Sequence, residues 1–182
     1  MIDYRLLAYS NEYYEKHGFV RIEAPWTVSE YVDDITRPKD RIHFQFKHND
    51  KCFVASGEQS FLYLYLKNFL PKGSYQCTTP CMRFEPFDGL HTKYFMKTEL
   101  IKTDVVNDEE LKKMVIIAKD FYETYLGKKN VEVVKTEQGY DLRYKNIELG
   151  SYGIRKCSFL KWIYGTGCAE PRLSTLIEHG VS

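Results

Sequence analysis

Apolar and tyrosine positions between Ile2 and His17 (Leu6, Tyr13, Tyr14 and His17, with Ser10 a small member) recur at helical spacing, and Gly18 suits the residue just past a helix end. Phe19–Glu23 alternates apolar and polar, which predicts a strand closing at Ala24-Pro25, because a proline has no N–H for a ladder and sits at an edge or strand end. Thr27–Asp40 is polar and reads as irregular, ending in Arg37-Pro38. Strands are predicted at Ile42–Phe46 and Lys51–Ala55, joined by a turn at His48-Asn49-Asp50. Ser60–Leu70 is apolar nearly all round, so periodicity cannot separate a buried helix from a buried strand; its length, and its place after Gly57-Glu58, favour a helix that Pro71-Lys72-Gly73 ends.

Strand-like runs follow at Ser74–Thr79, Met82–Glu85 and Lys93–Thr103. Leu111, Met114, Val115, Ala118, Phe121, Tyr122 and Tyr125 form one apolar stripe, predicting a helix over Asp108–Leu126 that opens on an Asn107/Glu110 capping box and stops at Gly127. Short strands are read at Val131–Lys135, Tyr140–Tyr144, Lys145–Leu149 and Ser158–Tyr164, and a last helix opens near Glu170-Pro171 and ends before Gly180. The pattern is α+β: a mostly antiparallel β-sheet flanked by helices, in a single domain over residues 1–182.

Composition narrows the function classes. The net charge is +1, with Lys and Arg scattered among acidic residues, so no basic face for nucleic-acid phosphates is announced. The five cysteines are odd in number and follow no secretory leader, which points to reduced thiols in a cytoplasmic setting. No apolar run has the length of a membrane span.

Chemistry concentrates in Gly57-Glu58, in Thr79–Pro86 running on to Glu99, and in Glu148–Ser151 followed by Gly165–Arg172. An arginine among strand hydrophobes, such as Arg83, wants an anionic partner, since an unpaired buried guanidinium is costly. A purely structural pairing with Glu85, Glu99 or Glu148 would meet that need. Phe95 also reads as a core residue, Glu99 and Glu148 as strand-edge carboxylates facing water, and Gly165 and Gly167 as a turn before a helix.

Together these segments resemble the motifs of class II aminoacyl-tRNA synthetases, most closely the seryl type. "EKHGFVRIEAPWTVS" resembles the first motif with its proline at Pro25, and "FVASGEQSFL" the loop bearing the amino-group-binding glutamate, here Glu58. "TPCMRFEP…GLHTKYFMKTEL" resembles the second motif, and "GTGCAEPRLSTLIE" the third, a glycine turn leading to an arginine at a helix start. The four occur in family order over nearly the whole chain.

The resemblance implies the class II synthetase/biotin-ligase-like fold and a ligase that activates an amino acid with ATP and Mg²⁺. The activated aminoacyl group would pass to tRNA, a carrier protein or another acceptor. It implies that Arg83 holds the α-phosphate and substrate carboxylate, Glu85 the adenine amino group, and Arg172 the other adenine face and the γ-phosphate. Phe95 would stack under the base, Glu148 bind Mg²⁺, Glu58 pair with the substrate ammonium, and Glu99, with Ser151 nearby, select the side chain. A buried carboxylate at Glu99 would favour a small polar or cationic side chain. A homodimer built around Pro25 and Trp26 is expected.

Departures from the seryl pattern accompany it. The second-motif loop Pro86–Lys93 is shorter, leaving His91 or Lys93 as partial substitutes, and Cys168-Ala169-Glu170-Pro171 lacks a third glycine. No tRNA-gripping coiled coil is read before Pro25, nor an anticodon-binding domain after Arg172. Some relatives hold zinc with two cysteines at the ammonium position; here Glu58 takes the first such slot, and Cys77 and Cys81, expected to face alternately on an extended strand, read as buried small hydrophobes. The competing functional reading is a non-catalytic paralogue that senses amino acid or tRNA, or an accessory subunit.

Overall fold

A computed structural model of the chain describes residues 1–39, 42, 50–84, 93–127 and 130–179. Most of the strand expected at Ile42–Phe46, His48 and Asn49 of the following turn, Glu85 and His91 lie outside these residues.

Helix α1 (Tyr4–Lys16) is capped by Asp3, whose carboxylate accepts from the Arg5 N–H at 2.8 Å, and Gly18 leaves it at φ +86°. Strand β1 (Val20–Arg21) is shorter than predicted and runs parallel to the later strand β4 (Ser74–Met82). The stretch read as irregular instead carries β2 (Thr27–Ser29) and one helical turn, α2 (Glu30–Asp33). Val28 and Val32 supply the burial there, too sparsely to register as a periodic pattern. Strand β3 (Lys51–Phe53) pairs with β2. Helix α3 (Gly57–Leu66) starts earlier than predicted, taking Gly57 and Glu58 into its first turn under a Ser56 cap.

The runs read as two strands are one, β4 (Ser74–Met82), continuous through Pro80. Met82 N–H donates to Val54 O, on the side of β4 away from its partner β5 (Tyr94–Lys102). The nitrogen of Pro80, two residues earlier, shares that side, where β1 no longer pairs, so its missing N–H breaks no ladder bond. Helix α4 (Asp108–Tyr125) follows, with the Asn107 side chain accepting from Glu110 N–H at 2.9 Å. Strands β6 (Glu132–Lys135), β7 (Gly139–Tyr144), β8 (Ile147–Lys156) and β9 (Lys161–Glu170) then lead to α5 (Arg172–His179). Strands β8 and β9 each reach 10 residues, so the segment expected as a glycine turn is strand. Glycine at 165 hid the alternation, but a Cβ there would lie 2.6 Å from the Tyr152 ring and 2.7 Å from Met114 Sδ.

Among the described residues the main sheet has 7 strands in the order β1-β4-β5-β9-β8-β7-β6, antiparallel apart from β1. Alternation sends Leu100 and Ile163 to one core with α1, α4 and α5, and Ile101, Trp162 and Tyr164 to another with α3. The register slips twice, between Thr98 and Glu99 against β9 and between Leu142 and Arg143 against β8. The second slip, at Leu149, lets Glu148 and Ser151 both line the α3 side although three residues apart, while Leu149 and Tyr152 both enter the helix-side core.

Phe121 is fully buried and stacks near Tyr13, Tyr14, Tyr122 and Tyr125, joining α4 to α1. Phe121→Ala is expected to lower stability by about 3–5 kcal/mol in denaturant unfolding. A loss near zero would show that α4 does not anchor this core.

Candidate active site

The α3 side of the sheet holds a cavity of about 290 Å³. Its residues arrive on alternate positions of neighbouring strands, which is why so many charges share one face: Lys97 and Glu99 on β5, Tyr164 and Thr166 on β9, Ser151 and Arg155 on β8, with Glu148 brought to the same face by the slip at Leu149. Arg83, Ser56, Glu58 and Asp33 close it.

At one end stands Arg83. Its Nε–H donates to Ala55 O at 3.0 Å, and its guanidinium lies 5.1 Å from the centre of the Phe95 ring, a cation–π contact. Glu148 faces the same cavity. Arg172, at the head of α5, borders it through Glu148, donating from Nη1 to the Glu148 carbonyl at 2.8 Å with the carboxylate at 3.9 Å. Arg83 and Glu148 therefore line one cavity, with Phe95 against Arg83 and Arg172 against Glu148, both outside the cavity wall itself.

The other end contains two buried carboxylates, each already paired. Glu99 Oε2 accepts from Ser56 Oγ at 2.5 Å and lies 2.5 Å from Lys97 Nζ, which also reaches Ser56 Oγ at 3.1 Å. The donor that a buried Glu99 requires is thus supplied from within the protein. Glu58 accepts from Trp162 Nε1–H and from Arg155 Nη1–H, both at 2.6 Å. Arg155 in turn stacks 4.2 Å above the centre of the Tyr164 ring. Burial pushes the Glu58 carboxyl above the ordinary carboxylate range; Arg155 and the Trp162 N–H pull the other way, while neighbouring Glu99 adds to the rise. Asp33 pairs with Arg37 at 3.0 Å and accepts from Gln59 Nε2 at 2.5 Å.

Lys97, Ser56, Arg155 and Trp162 were not among the residues singled out from the sequence. Two of the four carry a signal: Lys97 stands two residues before Glu99, and Arg155 stands four after Ser151, both on the strand period that shares a face. Cys77 and Cys81 do not face alternately. Four residues apart on β4, they share the α3 side with Thr79, whose hydroxyl is 3.7 Å from Cys81 Sγ. Burial raises both thiols above the ordinary cysteine range, Cys77 well above it, and none of the five cysteines forms a disulfide. Among the described residues no three or more His, Cys, Asp or Glu side chains are grouped to hold a metal, and no helix is long and apolar enough to cross a membrane.

Solved structures share this architecture. Pyrrolysyl-tRNA synthetase from Desulfitobacterium hafniense matches with a TM-score of 0.74 at 17% identity, over 97% of this chain and 69% of its own. Seryl-tRNA synthetase from Pyrococcus horikoshii, complexed with ATP, matches at 0.76 and 14%, over 94% of this chain and 49% of its own. The fold is that of the class II aminoacyl-tRNA synthetase catalytic domain. Cytoplasmic serine-tRNA ligase from Naegleria fowleri, in complex with AMP, has the same class II fold, with a TM-score of 0.71 and 15% identity over 97% of this chain and 53% of its own. The chain spans about half the length of these two seryl enzymes. No protein-family model and no curated protein sequence matches it.

A carboxylate whose folded-state pKa is raised contributes stability at low pH and loses it as pH rises through that value. Between about pH 4 and pH 7, wild-type protein should therefore lose thermal stability relative to Glu58→Gln. A gap that is flat, or that moves the other way, would show that the Arg155 pairing outweighs burial.

Proposed function

We propose that the cleft activates an amino acid with ATP, forming an aminoacyl-adenylate, and passes the aminoacyl group to an acceptor such as tRNA or a carrier protein. The observation that supports this reading is a single cleft lined by Arg83 and Glu148, with Phe95 against the first and Arg172 against the second, on a class II synthetase fold.

In the proposed reaction a carboxylate oxygen of the amino acid attacks the α-phosphorus in line. The bond from that phosphorus to the bridging oxygen breaks, and pyrophosphate leaves with its electron pair. Two anions have to be brought together, so fixed guanidiniums are suited to the task, gripping carboxylate or phosphate with two N–H groups at once. Arg83 holds the carboxylate and the α-phosphate; its tie to Ala55 O fixes the guanidinium before substrate arrives, which favours preorganised charge stabilisation. Phe95, with Arg83 across its face, lies where an adenine could stack. Glu85 is assigned to the adenine amino group, and Arg172 to the base and the γ-phosphate. Glu58 offers the ammonium its carboxylate, and Glu99 and Ser151 are assigned to the side-chain end of the substrate.

Glu148 suits Mg²⁺, a hard ion that takes carboxylate oxygens sparingly and completes its shell with phosphates and water. Its carboxylate is 48% exposed and faces the cavity, and Arg172 approaches it no nearer than 3.9 Å. When bound, the ion would offset charge on the triphosphate. Five cysteines without a disulfide accord with a cytoplasmic, reducing setting. We also assign the face around Pro25 and Trp26 to a homodimer, since Trp26 is 58% exposed.

Pyrophosphate exchange into ATP, measured across the common amino acids, should show exchange with at least one. Arg83→Ala should lower it at least about 100-fold with thermal unfolding little changed. Absence of exchange with every amino acid, in protein that binds ATP, would favour a sensing paralogue instead. In sedimentation, Trp26→Glu should convert a dimer to a monomer. A wild-type monomer, or a dimer indifferent to the change, would remove the assignment.

A further inference from the structure

The amino-acid end of the cleft carries two cations that the activation reading leaves without a task. Lys97 is committed to Glu99 and Ser56. Arg155 is not fully committed. Its Nη1 meets Glu58, its Nη2 meets Gln138 Oε1 at 3.3 Å, and the side chain remains 33% exposed in the cavity wall. Stacking on Tyr164 fixes the guanidinium plane, and a guanidinium has further N–H groups beyond those two contacts. Glu58 has accepted one donor on each oxygen, and each oxygen keeps a lone pair.

We propose that Arg155 determines specificity and that the cleft takes an acidic α-amino acid, of the aspartate or glutamate class. This rests on the activation reading for the seat of the α-carboxylate at Arg83. The substrate ammonium then adds to the spare lone pairs of Glu58, Glu58 stays on Arg155, and Arg155 receives the side-chain carboxylate. Charges alternate around that circuit: ammonium, Glu58, Arg155, side-chain carboxylate. A neutral side chain leaves the remaining N–H groups of Arg155 without an anion. A cationic side chain meets Arg155 and Lys97, whose own carboxylates are already taken. The small polar or cationic side chain expected from Glu99 alone is disfavoured for this reason.

The test is calorimetric binding of aspartate, glutamate, asparagine, glutamine, serine and lysine to the full chain, with pyrophosphate exchange run on the same panel. Aspartate or glutamate should bind at least about 10-fold more tightly than its amide, the size expected for hydrogen bonds to a charged group. Arg155→Met should erase that advantage and Arg155→Lys keep part of it, with thermal unfolding as the check on folding. If the Met variant fails to fold, the acid-against-amide comparison and the Lys variant still decide. Amides, serine or lysine binding as well as the acids, no binding by any of the six, or a preference that survives Arg155→Met would overturn the proposal. Preferential binding of an acid without exchange would sink the activation reading and leave Arg155 assigned. Exchange with a neutral or basic amino acid alone would do the reverse.

Discussion

Glu58 sits in the first turn of α3 with 4% of its surface exposed, and a carboxylate cannot rest there ionised unless its oxygens are met. The indole of Trp162 meets one oxygen and the guanidinium of Arg155 the other. These partners come from β9 and β8, so this one side chain ties α3 to two central strands. The cleft is the space the tie leaves beneath α3. Removing either partner would leave a buried charge half-satisfied, a far larger penalty than an exposed ion pair carries.

The same economy runs through the rest of the cleft. Asp33, Glu99 and Glu148 each have a basic neighbour in Arg37, Lys97 and Arg172. Arg83 pairs with no carboxylate among the described residues and rests on a carbonyl and an aromatic face. Among the described residues the cleft therefore holds a fixed guanidinium that meets no carboxylate beside a network of compensated charges. That difference separates the phosphate-handling end proposed above from the end proposed to recognise the amino acid.

Where the chain obeyed a simple period, its sequence could be read. The α4 stripe, the Asn107 cap and the stops at Gly18 and Gly127 all lie where the apolar pattern put them. Arg83 and Glu148, two positions singled out by motif, line one cleft, and Arg172, a third, donates to the Glu148 carbonyl. The extents of β8 and β9 were not legible, because glycines required by close packing interrupt the alternation. Nor were α2 and β2, which are too short for any period to show. The partners of Glu58 were missed because its pairing joins α3 to strands about a hundred residues away in sequence, which no local pattern encodes; Lys97, beside Glu99 on one strand, could have been found from the strand period.

The slip at Leu149 has a consequence for how this site can change over generations. It decouples face from residue number, so Glu148 and Ser151 look the same way only because one residue between them is out of step. Point replacements around them alter a single wall of the cavity. Losing or gaining one codon inside that stretch would instead turn cavity lining into core and core into lining along the remainder of β8, Arg155 included. Variation in this strand should therefore accumulate by exchange of residues, with changes of length pushed out to the hairpins that join it to its neighbours.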